Sequence, residues 1–202
     1  MFNLLYDLSN FSFEQLNSID DFYGSLIPRF FESLDTSVGL NWNKQGNRFV
    51  SRFETDGKYY LMYIEEMALP TKFEYGVDLN LRCLNLGFSL INEDGEEIEI
   101  LQGSANNPIK VFSIVLNGFK SILPIVIDKI KPDVLIMMIS GNEIQRFNLY
   151  CRLLRKVDIV SFDTTFTGTT KNSDKFIAKT CIPDKYHTVL KSNLKLMEFS
   201  KI

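Results

Sequence analysis

Residues 96–140, "EEIEILQGSANNPIKVFSIVLNGFKSILPIVIDKIKPDVLIMMIS", decide the fold. Residues 96–101 alternate acidic and apolar side chains and read as a short strand. Gln102, Gly103, Ser104, Ala105, Asn106 and Asn107 follow as a loop of small and polar residues. Such a loop either holds a ligand phosphate or merely turns the chain. Pro108 suits the first position of a helix. From there Val111, Phe112, Ile114, Val115, Phe119, Ile122, Leu123, Val126, Ile127 and Ile130 make a long helix that is apolar around much of its girth. A helix of that kind must be packed between other layers. Pro124 lies inside it and predicts a kink or a split. Six consecutive apolar residues, Val134 to Ile139, then read as a central strand buried on both faces. Strand, helix and strand at this spacing predict a right-handed parallel crossover.

Upstream, "NRFVSRFETDGKYYLMYIEE" alternates Phe49 and Phe53 with Arg48 and Arg52 and turns at Asp56-Gly57, a hairpin signal. In "VDLNLRCLNLGFSLI", residues 77–91, the apolar phase moves by one after Cys83, which predicts a β-bulge or a break at Cys83-Leu84. Residues 12–35 repeat apolar side chains at spacings of three and four and predict two short helices. Downstream, Asn142 can cap a helix in which Phe147, Tyr150, Leu153, Leu154 and Val157 share one side, with Arg152, Arg155 and Lys156 on the other. Residues 159–170 and 175–182 flank Lys171 to Asp174 as a second hairpin. The tail, 183–202, reads as a strand or an extended arm. A single domain over 1–202 is expected.

Composition narrows the function. A net charge of −3 argues against a protein that works by neutralising many phosphates. Residues 1–38 are acidic and the C-terminus is lysine-rich, which reads as two solvated faces or a partner-docking surface. Cys83, Cys151 and Cys181 are scattered and odd in number, so neither a disulfide framework nor a zinc site is indicated. Lysines, aspartate and prolines interrupt the apolar region 109–139, so no bilayer span is expected. The N-terminus lacks the features of a signal peptide, and a reducing cytoplasm is the expected location. His187 sits in a polar tail, which places it as a satisfied or exposed histidine rather than a general base. Dinucleotide and nucleoside triphosphate motifs are absent from the sequence.

The order of elements, with "NPIKVFSIV" opening the long helix and "PDVLIMMIS" followed by "QRFNLYCRLL", resembles the GNAT superfamily of acyl-CoA-dependent N-acyltransferases. It also looks like a group of uncharacterised bacteriophage proteins built on a GNAT-like core. The resemblance implies a mixed α+β fold: a mostly antiparallel twisted sheet with a parallel crossover and helices on both faces. For acetyl-CoA it implies that the amides of residues 102–107 would bind the pyrophosphate, with Tyr150 as the proton donor to the departing thiolate. Glu65, Glu66 and Glu97 are then the candidate bases. The glycine placement in 102–107 departs from the family's Q/R-x-x-G-x-G/A pattern, and Pro108 removes an amide donor. Two expectations therefore stand. One is a phage-type GNAT-like protein that binds another protein, viral or host, without a cofactor. The other is an acetyl-CoA-dependent N-acyltransferase.

Overall fold

Asp56 and Gly57 both adopt left-handed backbone, φ 54° and 69°. A two-residue turn of that geometry matches the twist of a hairpin, so β2 (Arg48–Thr55) returns as β3 (Lys58–Ala68) with Thr55 opposite Lys58. A two-residue turn in which Gly46 has φ 59° joins β1 (Asn43–Gln45) to β2. The computed structural model describes residues 40–69, 81–92, 94–98, 108–139, 144–157 and 159–196. The chain divides after Ser37, and every described residue belongs to the second unit, Val38–Ile202. The helices expected over 12–35, the loop 102–107 and the cap Asn142 lie outside the described residues.

β4 (Arg82–Ile91) pairs antiparallel with β3 in unbroken register from Ala68↔Arg82 to Tyr59↔Ile91. The bulge expected at Cys83-Leu84 is therefore not formed. The shift in apolar phase has another cause: β4 is buried on both faces from Cys83 onward, so neither phase has to be polar. The turn at 92–96 closes with the Asn92 amide N–H donating to the Glu96 carbonyl at 3.0 Å and the Glu96 N–H to Asn92 Oδ1 at 2.8 Å. So short a return can only produce an antiparallel neighbour, and β5 (Glu97–Ile98) pairs with Ile91 and Leu90.

α1 (Pro108–Ile130) is one unbroken helix, so Pro124 does not split it. Pro124 and Lys120, whose carbonyl loses its usual partner, both lie on the exposed side where water can substitute. Lys110–Ile130 is long and apolar enough to cross a membrane by length and composition alone, a test that the core helix of a folded domain also passes. In this fold Val115, Phe119, Leu123 and Val126 are fully buried within the protein, as in an inner helix of a core. Gly118 lets α1 approach the sheet closely: a Cβ there would lie 2.6 Å from Leu40 and 2.7 Å from Met62 of β3.

β6 (Val134–Ile139) pairs parallel with β4 and antiparallel with β8 (Lys175–Thr180). The crossover expected from 96–101 therefore starts from β4 instead. α2 (Ile144–Lys156) follows, then the hairpin of β7 (Thr164–Thr169) with β8. Among the described residues the sheet has eight strands in the order β1-β2-β3-β4-β6-β8-β7, with β5 beside β4. The tail is helical rather than extended: a 3-10 turn, Asp184–Tyr186, leads into α3 (His187–Leu194). The i, i+4 spacing of Tyr186, Leu190 and Leu194 explains why.

Paired residues across a sheet share a face, which separates two cores. Met62, Phe88 and Lys179 point toward α1 and α2. Cys83, Val134, Ile136, Met138, Phe176 and Ala178 point the other way and pack with Leu190 and Leu194 of α3. Helices thus cover both faces of a mixed, mostly antiparallel sheet.

Candidate functional site

The parallel pair of β4 and β6 spans only three rungs, Cys83↔Val134, Leu84↔Leu135 and Asn85↔Ile136. Its base is firmly tied. The Asp133 amide donates to the Arg82 carbonyl, the Arg82 amide donates to Asp133 Oδ2, both at 2.9 Å, and Arg82 Nη1 donates to the Ile130 carbonyl at 2.7 Å. That last bond satisfies an end carbonyl of α1 with a cation, the favoured sign at a helix C-terminus. Thr180 Oγ1 donates to the Asp133 carbonyl at 2.8 Å from the other side. Past Asn85 and Ile136 the two strands continue along other partners, β4 along β3 and β6 along β8. Between that point and the β5 pairing at Leu90, β4 has no strand partner on this edge among the described residues.

Tyr150 of α2 reaches into that interval. Its hydroxyl donates to the Phe88 carbonyl at 3.2 Å, and its ring packs on the Phe88 ring with centroids 5.5 Å apart. The side chain is 2% exposed. The fold thus directs the hydroxyl of Tyr150 onto main chain of β4. The six loop positions from Gln102 to Asn107 cannot be placed beside it, since they lie outside the described residues.

Of the three candidate bases, the fold brings two together. Glu65 is held by Arg48, Nε to Oε1 at 3.1 Å and Nη2 to Oε2 at 3.2 Å. Glu97 Oε1 lies 3.9 Å from Arg48 Nη1, and its Oε2 accepts from Ser89 Oγ at 3.0 Å. Arg48 also lies 4.9 Å over the Tyr63 ring. All of these occupy the sheet face opposite α1 and α2. Glu66 points the other way and is exposed. The sequence reading missed Arg48 and Ser89 as members of this cluster. Its signal was the odd phase of β4, where Asn85, Gly87 and Ser89 recur every second residue.

His187 is satisfied, as expected: Nε2 lies 2.8 Å from the Ile182 carbonyl and Nδ1 lies 3.4 Å from Asp184. Burial pushes the Cys83 thiol well above its ordinary range, with Asp133 adding to the effect. Burial likewise raises Cys151 and, with Asp133, Cys181. A thiol nucleophile needs the opposite shift.

Among the described residues, the sheet order, the parallel pair of β4 and β6 and the two helical layers define a mixed α+β fold. No family model matches the chain, and no curated protein matches it. Among solved structures, the chain is similar to aminoglycoside acetyltransferase AAC(6')-Ib, solved in complex with coenzyme A and kanamycin. The TM-score is 0.32 at 12% sequence identity, covering 74% of this chain and 73% of that chain.

Proposed function

We propose that this protein uses its GNAT-like scaffold to bind another protein and does not carry out acyl transfer. One observation supports this reading above the rest: the Tyr150 hydroxyl, buried in the strand divergence, is bonded to the Phe88 carbonyl of β4. To return a proton to a thiolate the hydroxyl would have to give up this buried hydrogen bond, which is unfavourable. The Phe88 and Tyr150 rings occupy the same interval. The resemblance to bacteriophage proteins makes a viral structural protein or a host protein the partner, met in the host cytoplasm or the virion.

Thermal melting of the full chain with and without coenzyme A tests the reading. A ligand at one hundred times its dissociation constant stabilises by about 2.7 kcal/mol. The expected result is an unchanged Tm at millimolar coenzyme A. A clear rise would overturn the proposal.

The acetyl-CoA reading draws on a different observation, the three-rung ladder that opens beside Tyr150. Under it the amides of 102–107 would take the pyrophosphate. Thiol release from acetyl-CoA that falls at least tenfold in Tyr150→Phe, with KM unchanged, would favour it.

A further inference from the structure

β1 covers only part of β2. Its three residues pair with Arg48, Phe49 and Val50, and the chain before it leaves the sheet, with Trp42 packing on Phe119 of α1 at 6.3 Å between ring centroids. From Ser51 to Thr55, β2 therefore has no strand on its outer edge among the described residues. A cavity of about 280 Å³ lined by Asn41, Asn43, Ser51 and Arg52 marks where the strands part. Thr55 and Lys58 flank a two-residue turn, so they exchange main-chain hydrogen bonds with each other. Bonded and non-bonded pairs alternate along an antiparallel ladder, so Arg52 and Glu54 point their N–H and C=O groups away from β3, to the bare edge. Such an edge is a template for another strand.

The side chains on this edge indicate which strand. Arg52 and Glu54 are exposed, lie on one face and make no ion pair among the described residues. A cavity of about 440 Å³ lined by Arg52, Glu54, Tyr59 and Asp94 gives both of them room to move on that face. Opposite charges two residues apart are self-complementary about a twofold axis at the residue between them. Such an axis at Phe53 sets Arg52 of each copy opposite Glu54 of the other, twice. An axis at Arg52 or at Glu54 would instead set like charges against each other, which is unfavourable. The other face carries an independent sign. Ser51 and Thr55 are 1% and 5% exposed, and Ser51 Oγ and Thr55 Oγ1 have no hydrogen-bond partner. The axis at Phe53 sets Ser51 of each copy opposite Thr55 of the other, in the closer, non-bonded kind of pair. Serine and threonine so placed hydrogen-bond across strands once a χ1 rotation turns the hydroxyls to the edge.

We propose that residues 51–55 of β2 are a dimer interface, pairing antiparallel with the same residues of a second copy about a twofold axis at Phe53. Arg52 and Glu54 then exchange main-chain hydrogen bonds as well as charge, and the two sheets become continuous. The interface goes beyond the protein-binding reading and needs neither another protein nor coenzyme A.

Sedimentation equilibrium of the full chain tests it. Wild type should show a monomer–dimer equilibrium in the micromolar range, as suits a small interface. Arg52→Glu sets Glu against Glu across the axis, and Glu54→Arg sets Arg against Arg, so each alone should weaken dimerisation at least tenfold. Both positions are exposed, so Tm should stay close to wild type. An equimolar mixture of the two variants sets Glu against Arg at both positions and should recover the wild-type affinity. Amide exchange at Arg52 and Glu54 should slow as the wild-type concentration rises, a readout that needs no variant. A wild-type chain that stays monomeric to about 1 mM overturns the proposal. So does a dimer that both single variants leave intact, that mixing them fails to restore, or that forms without slowing exchange at these two amides.

Discussion

At position 150 a phenol meets a main-chain carbonyl in a setting closed to water, so its contribution is that of a neutral buried hydrogen bond. Tyr150→Phe keeps the ring contact with Phe88 and removes that donor. Urea denaturation should show a loss of about 1 kcal/mol. Cys83 offers a second residue-scale test. Its thiol, fully buried, holds its proton far above the ordinary value of 9.0, first because of burial and then because of Asp133. The unfolded chain therefore releases this proton first. The contribution is fully present below about pH 9 and is lost as pH rises above it, by about 1.4 kcal/mol per pH unit until the folded-state value is passed. Cys83→Ala should flatten the alkaline decline by one proton's worth, measured as the slope of stability between about pH 9 and 10.5.

The elements show how a local pattern meets its surroundings. Asp56-Gly57 and Lys171–Asp174 were legible as hairpin turns because their backbone demands are local. The apparent bulge at Cys83-Leu84 was misread because a phase shift signals a bulge only in a strand with one solvated face. The tail was misread as extended although Tyr186, Leu190 and Leu194 carry a helical spacing; Leu190 and Leu194 become core only through the cluster beneath them. The junction of α1 with the sheet is testable directly. Arg82→Ala removes the cation from the Ile130 carbonyl while leaving the backbone ties to Asp133 in place. Arg82 is exposed, so the cost should be about 1 kcal/mol. Amide exchange should quicken in the last turn of α1 more than in β3.

Across the molecule, the candidate site is assembled from residues far apart in sequence. Tyr150 meets Phe88 across 62 positions, and Arg48 meets Glu65 across 17 and then Glu97. Glu65 and Glu97 were recognisable as carboxylates near strands, but nothing local distinguished them from Glu66. Strand register does so, placing Glu65 and Glu97 on one face and Glu66 on the other. Periodicity and turn chemistry sufficed for the hairpins, the long apolar helix and the buried strand after it, since each depends on neighbours a few residues away, whereas the mixed α+β class was implied by the resemblance. Packing alone settled that β4 is the parallel partner of β6, that Tyr150 bonds to main chain, and that Asn85 lies opposite Glu65 in the ladder. Those outcomes depend on which strands lie side by side, a choice made by the burial of whole faces rather than by any short run of residues.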